Sequence, residues 1–331
     1  EKTDISNPAN PVLEVKDGND IEEIDHALIL AKTAKEKPTI IICHTVIGYG
    51  SELAGSHVSH GKAFSAEMVV KTKENLGVSF PPFEVPEEAY RAFKDTFIAR
   101  GKKAEEEDKK VLLNYKELHK EEYERFLDLK DNNVAPYLFA DGPKYEDGFK
   151  DASRNTSDAL LNIVAGELSN LFGGSADVAD SVKTHVKSFT DYSKDNRKGE
   201  NINFGIREFA MGAIQNGILL HGGLRTYVGC FLVFADYRKP SIRRAARERI
   251  PAIYLFSHDS LAVGEDGPTH QPIEQLARLR AIPRLNLFRP ADAIETSAAY
   301  RSAFESVDHP TAIILSRQGL FNNPQSSFQG S

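Results

Sequence analysis

Glu208 lies in Asn201-Ile202-Asn203-Phe204-Gly205-Ile206-Arg207-Glu208-Phe209-Ala210-Met211, a strand-like run that hands over to a helix-like one. A carboxylate in a first helical turn can serve its own helix, which stabilises it by about 0.3–1 kcal/mol, or it can be delivered to a ligand. Phe231, Phe234 and Tyr237 recur at three-residue steps. On one helix face they would either pack a core or hold a flat aromatic ligand. Gly264-Glu265-Asp266-Gly267-Pro268-Thr269-His270 places two acids and a histidine in a glycine-rich loop, which suits a turn or the mouth of a polar substrate site. Arg154, His258 and Arg317 are candidate cationic donors for a phosphate, the arginines offering forked geometry. His57 and His60 stand three apart in a Gly-Ser-rich loop. No carboxylate or cysteine there completes a metal ligand set, so the expectation is a polar substrate-facing or surface loop.

These groups need elements to hold them. Residues 151–316 alternate helix and strand signals. Helices are expected at 157–168, 208–220, 233–247, 272–280 and 291–307. Strands are expected at 171–173, 202–204, 225–230, 252–256, 285–288 and 312–315. That alternation predicts an α/β fold with a doubly wound, mostly parallel sheet, whose ligands bind beyond the carboxyl ends of the strands. Asp177 and Ser181, Glu208, Phe231, His258 and Arg317 all follow expected strands. From Ile206 onward, Phe209, Ala210, Ala213, Ile214, Gly217 and Ile218 give the helix after Glu208 one apolar face.

Earlier in the chain, Val12–Val15 reads as a strand, Asp20 as a cap, and the next segment as a helix ending at Lys37-Pro38. The β-branched run Thr39–Val46 predicts a parallel strand covered on both sides. A helix over 65–75 and a proline-broken linker at 80–86 follow. From Glu87 to about Lys130, Glu and Lys dominate, as in solvated helices that space two domains.

The 331 residues suffice for two domains, and the formal net charge of -7 with interleaved basic residues argues against nucleic-acid binding as the main function. No apolar run reaches membrane length. Cys43 and Cys230 both sit in apolar runs and are expected to be buried free thiols in a reducing, cytoplasmic compartment. The chain starts at Glu1, without Met, inside what reads as a folded region, and is expected to be a fragment.

The strings Gly173-Gly174-Ser175-Ala176-Asp177, Phe204-Gly205-Ile206-Arg207-Glu208, Phe231–Tyr237, Gly264-Glu265-Asp266-Gly267-Pro268-Thr269-His270-Gln271-Pro272 and Ser316-Arg317-Gln318 resemble those of the transketolase family of thiamine diphosphate enzymes. Ile47-Gly48-Tyr49-Gly50 and His60-Gly61 resemble the end of that family's pyrophosphate-binding domain. The resemblance implies a thiamine diphosphate-binding fold with a truncated second α/β domain. It divides the chain into part of a pyrophosphate-binding domain at 1–86, a charged helical connector at 87–142 and a pyrimidine-binding domain at 143–331.

By position, Glu208 resembles the carboxylate that shares a proton with the cofactor's aminopyrimidine, with His60 and His270 as donors or proton shuttles. Phe231, Phe234 and Tyr237 resemble the pyrimidine pocket. Asp177 and Val178 resemble a segment bordering the cofactor across a subunit boundary, and Ile47 an apolar contact. Asp266 would recognise a sugar hydroxyl. Arg154, Ser181, His258 and Arg317 would hold the substrate phosphate. The implied reaction is reversible transfer of a two-carbon ketol unit from a ketose phosphate to an aldose phosphate, by a homodimer using thiamine diphosphate and Mg²⁺. Departures are Lys62-Ala63-Phe64 where Ala-Pro-Leu is usual, and Val182 where Asn is usual. The Gly-Asp-Gly…Asn segment that holds the metal does not occur in this sequence, so the chain alone is expected to bind cofactor poorly. Alternatives are dihydroxyacetone synthase, deoxyxylulose phosphate synthase or a non-catalytic assembly subunit.

Overall fold

The computed structural model describes residues 12–130, 144–146 and 148–328. The chain divides into two compact units, residues 1–109 and 110–331.

In the first unit, β1 (Val12–Val15) leads to α1 (Ile21–Thr33), and β2 (Ile40–Cys43) returns parallel to β1. Asp20 caps α1, its side chain accepting from the Glu22 and Glu23 amides, as its type predicts. Leu13, Val15 and Ala27 are buried with Ile24, Ala31 and Ile41 packed on them. The expectation of a strand covered on both sides is corrected here. Ile41 faces this small core, but Ile40 and Ile42 are 61% and 46% exposed, and Cys43 is exposed. Among the described residues β2 pairs only with β1. A β-branched run records strand propensity, not how many layers cover it.

A short 3-10 turn, His57–His60, precedes α2 (Ala66–Asn75), which is capped by Ser65. Then come α3 (Glu87–Phe93), a π turn at Lys94–Ile98, α4 (Ala99–Leu118) and α5 (Lys120–Lys130). No residue of α4 is buried, as its Glu/Lys content predicts, and the division between units falls inside it. Residues 131–142 of the expected connector lie outside the described residues.

The second unit runs β3 (Lys150–Ala152), α6 (Ser153–Glu167), β4 (Leu171–Ser175), α7 (Ala179–Val182), β5 (Asn201–Asn203), α8 (Glu208–His221) and β6 (Arg225–Phe231). It continues through α9 (Ala235–Glu248), β7 (Ile253–Ser257), α10 (Gln275–Arg280), β8 (Asn286–Phe288), α11 (Ala293–Glu305), β9 (Thr311–Ile314) and β10 (Gly319–Phe321). Six strands form one parallel sheet in the order β5-β4-β6-β7-β9-β8. Strand β7 shows why both faces must be covered. Tyr254 and Phe256 enter one core with Met211, Ile242 and Ala245, whereas Ile253 and Leu255 enter the other with Leu160, Leu161, Tyr300 and Phe304. Each such side chain, fully buried, contributes about 1.5–3 kcal/mol. The sheet order reverses between β4 and β6, which is where an open α/β sheet forms its ligand crevice.

Two glycines make the crevice possible. A methyl group at Gly173 would lie 2.3 Å from the Tyr227 carbonyl oxygen, and one at Gly174 would lie 2.0 Å from that of Ile202. Strand β4 therefore admits no side chain at either position.

Helix α8 inverts the expected face. Its inward residues are Met211, Gly212, Gln215 and Asn216, while Phe209, Ile214 and Leu220 are 56%, 46% and 64% exposed. The polar residues are tolerated because their amides are used. Gln215 donates to the carbonyls of Thr226 and Ile253, and Asn216 to that of Ser241; the amide nitrogens so bonded avoid their desolvation penalty, while Gln215 Oε1 and Asn216 Oδ1 stay buried without a hydrogen-bond partner. Gly212 allows α9 to approach, since a methyl group there would meet Ser241 Oγ at 2.2 Å.

Candidate functional site

The carboxyl ends of β4, β6, β7 and β9 carry most of the residues singled out above. Phe231 is the last residue of β6, Phe234 closes a 3-10 turn, and Tyr237 lies in the first turn of α9. They do not share one helix face, because the strand runs to Phe231. Their rings nevertheless stack in succession, with centroids 6.1 Å apart in each step and interplanar angles of 13° and 30°. Tyr237 is 65% exposed, so the ladder ends in an open aromatic surface.

Two histidines join it. His258 lies with its ring centroid 3.8 Å from that of Phe231, and His270 stands edge-on to Phe231 and Phe234 at 5.7 and 5.3 Å. His258 follows β7 directly and is held at φ 59, a left-handed conformation that a side chain rarely adopts. Its Nδ1 lies 2.9 Å from Ser257 Oγ, and its Nε2 lies 3.6 Å from Asp266 Oδ2. Burial, then the Arg154 charge, with Arg317 and His270 adding, push His258 down to about 4 against the favourable pull of Asp266. His258 is therefore neutral near pH 7 and not the cationic donor its residue type suggested. It can still donate or accept a hydrogen bond through Nε2.

This depression has a measurable sign. A base whose folded value lies below its ordinary 6.5 is protonated first in the unfolded chain, so stability is lost as pH falls from 6.5 toward 4. Between pH 7 and pH 5 this amounts to about 2 kcal/mol. Urea melts should show the parent chain losing about that much more than His258→Gln over the interval. Equal losses would mean that His258 titrates normally.

Arg154 and Arg317 meet beside Asp266. Arg154 Nη1 donates to the Ser181 carbonyl at 2.9 Å, while its Nε is buried without a partner. Arg317 donates to Glu265 at 3.1 Å and stands 3.9 Å from Asp266 Oδ2, which itself accepts no hydrogen bond. Burial, then the neighbouring Arg317, pull Arg154 below the ordinary arginine range. Two guanidinium groups against one partly buried acid, with an unused donor and an unused acceptor between them, suit a ligand bearing both an anionic group and hydroxyls.

Glu208 is the first residue of α8, half-buried, and accepts no hydrogen bond among the described residues. Burial pushes the Cys230 thiol, beside Phe231, up to about 11, and the charges of Glu208 and Asp177 both add to this. The two carboxylates are thus within electrostatic reach of the end of β6. Asp177 is exposed just beyond β4, and Val178 packs on the core. The open aromatic ladder and the Glu208 carboxylate offer a flat apolar surface and a hydrogen-bond acceptor, chemistry that suits a flat aromatic base carrying N–H donors. Among the described residues no group of three or more His, Cys, Asp or Glu could hold a metal ion. His60 and Ile47 belong to the first unit, where both are exposed.

Sequence reading passed over two groups. Glu265, 84% exposed at its side chain, pairs with Arg317; the loop composition shows two acids but not which one an arginine selects. Arg238 is fully buried, with none of its three guanidinium nitrogens hydrogen-bonded. In Arg238-Lys239-Pro240-Ser241-Ile242-Arg243-Arg244 it reads as one more solvated cation.

A sequence model described as the pyrimidine binding domain of transketolase matches residues 150–322, and one for the transketolase thiamine diphosphate binding domain matches residues 8–135. A probable transketolase of Streptococcus pneumoniae is 48% identical over 311 residues, covering 92% of this chain and 47% of that protein. The transketolase of Bacillus subtilis is 46% identical, covering 96% and 48%. The chain thus spans about half the length of the curated relatives it matches. Among solved structures, transketolase from Leishmania mexicana superposes with a TM-score of 0.87 at 35% identity, covering 96% of this chain and 48% of that one. Transketolase of Pichia stipitis in complex with sedoheptulose 7-phosphate gives 0.87 at 34% identity, with the same coverage.

Proposed function

Because the chain belongs to the transketolase family, we propose that it supplies the pyrimidine side of a thiamine diphosphate site and the phosphate-holding part of a sugar-phosphate site. The reaction is reversible transfer of a two-carbon ketol unit between a ketose phosphate and an aldose phosphate. The chain works together with the further length its relatives carry. One observation supports this most: Arg154 Nε and Asp266 Oδ2 are buried without a hydrogen-bond partner within one cluster, an arrangement that is costly unless a ligand satisfies both.

When bound, the cofactor supplies an electron sink for carbon–carbon cleavage. Glu208 accepts and holds a proton at the aminopyrimidine ring nitrogen. Phe231, Phe234 and Tyr237 flank that ring and exclude water from it, and Asp177 and Val178 border it. Asp266 accepts a hydrogen bond from the substrate hydroxyl beside the reacting carbonyl. His270 and His60 donate to substrate oxygens or carry protons. Arg154 and Arg317, with Ser181 and neutral His258, hold the phosphate. Ile47 provides an apolar contact to the cofactor. A magnesium ion is expected to be held by residues other than those described.

Residues 1–86, 87–142 and 143–331 are inferred as the pyrophosphate-side, connector and pyrimidine-side segments. The exposed apolar residues Phe209, Ile214 and Leu220 of α8 suit the interface of a homodimer whose cofactor site lies between subunits. A cytoplasmic location accords with two free cysteines. No helix among the described residues is long and apolar enough to cross a membrane.

The test is kinetic. In the assembled enzyme, Arg317→Ala should raise KM for a ketose phosphate by about tenfold or more, since a lost charge-assisted hydrogen bond costs about 1.5–3 kcal/mol. Calorimetry should show thiamine diphosphate binding in both forms. Absence of cofactor binding in the unsubstituted protein would leave a non-catalytic assembly role.

A further inference from the structure

We propose that Ser153 and Ser316 are positioning residues for phosphate recognition: a reciprocal clamp between them fixes where Arg154 and Arg317 stand relative to each other. The inference rests on the sugar-phosphate reading of this site.

The clamp comes from a small antiparallel pairing that the sequence does not announce. Strand β3 ends just before Ser153 and β10 begins just after Gln318, with Ala152 opposite Gly319 and Lys150 opposite Phe321. At the end of this ladder the Ser316 amide donates to Ser153 Oγ at 2.7 Å, and the Ser153 amide donates to Ser316 Oγ at 3.0 Å. The hydroxyls lie 3.1 Å apart, and Ser316 Oγ donates to the Gln318 carbonyl at 2.8 Å. The proton count then assigns the network. Since the Ser316 hydroxyl proton goes to Gln318, Ser153 must donate in the hydroxyl pair. Both serines are buried, at 1% and 6% exposure. A further bond runs from the Arg154 amide to the Ser316 carbonyl at 3.4 Å.

Each arginine is the residue immediately after a clamp serine. Two guanidinium groups left to themselves would separate, because like charges repel and long side chains favour freedom. Fixing both backbones to one buried network moves that ordering cost into folding, so that a phosphate monoester meets donors already in place. The serines do not touch the ligand. Their effect should therefore appear only where the phosphate matters.

The experiment compares Ser153→Ala, Ser316→Ala and Ser153→Thr in the assembled enzyme. Substrates are a ketose phosphate and the same ketose without its phosphate, and phosphorus NMR gives the dissociation constant of inorganic phosphate. The alanine variants should raise KM for the phosphorylated ketose and the phosphate dissociation constant by about tenfold each, as expected for loss of about one buried hydrogen bond. KM for the unphosphorylated ketose and kcat should stay within about twofold, and Ser153→Thr, which keeps the oxygen, should behave as the parent. Equal KM rises for both ketoses, or no rise for either, would overturn the proposal. Should the alanine variants fail to fold, Ser153→Cys, similar in shape but a poor hydrogen-bond partner, must show the same selective rise or the proposal falls. A parent enzyme that does not prefer the phosphorylated ketose would instead remove the underlying reading.

Discussion

In the assembled enzyme proposed above, Glu208→Gln is expected to slow ketol transfer by about 10²–10⁴-fold, the range for losing a positioned proton-transfer group. Glutamine matches the shape of the carboxylate and keeps one acceptor oxygen, so the first turn of α8 should fold as before. What it loses is the carboxylate's capacity to take up and hold a proton, the role proposed for Glu208. The structure makes Glu208 suitable because it begins a helix that follows β5 directly, and no described residue donates a hydrogen bond to it. Thermal stability should move little, since an acid at a helix start is worth about 0.3–1 kcal/mol. The informative result is thus a large fall in kcat with nearly unchanged melting. If ketol transfer continues at full rate, another group must handle the proton.

Arg238→Met should stabilise the chain by about 1–4 kcal/mol, by analogy with replacing buried ionic groups by apolar ones of similar size. The guanidinium is wholly buried, and its three nitrogens have no hydrogen-bond partner. It lies 4.6 Å above the Phe256 ring and 5.2 Å above that of Tyr254. Such contacts return about 2 kcal/mol when desolvated, less than the cost of an unpaired buried charge. Burial accordingly pulls Arg238 below its ordinary range, while Cys230, Tyr254 and Glu208 favour its charge. Urea unfolding at pH 7 measures the difference. Destabilisation by more than about 3 kcal/mol would mean that the charge has a partner whose loss leaves it stranded.

Much of this fold could be read from residue pattern, for reasons that particular elements illustrate. Apart from Arg225 and Thr226 at the start of β6 and Ser257 at the end of β7, these two strands lack charged and strongly polar residues, as a parallel sheet covered on both faces favours. Their carboxyl ends then placed Phe231 and His258 correctly. Helix α8 was recognised by its spacing, yet its inner face was misassigned. Pattern reading equates apolar with inward, whereas Gln215 and Asn216 are inward because three backbone carbonyls accept from them. Strand β2 failed similarly, since β-branching does not count layers. Candidate site residues could be named from the sequence, but not the geometry that relates them. Nothing near Arg154 or Arg317 predicts that β3 and β10 pair across more than 160 residues (Ser153 to Ser316 spans 163 positions). The neutrality of His258 arises from burial and two arginines that only the fold brings together.

The side-chain-free stretch of β4 limits how this scaffold could be redesigned. With Tyr227 and Ile202 carbonyls at 2.3 and 2.0 Å from any added carbon, saturation libraries at 173 and 174 should return almost exclusively glycine, whatever the selection applied. A chimera that grafts Asp177 and its neighbours onto another parallel sheet would need both glycines transferred with them.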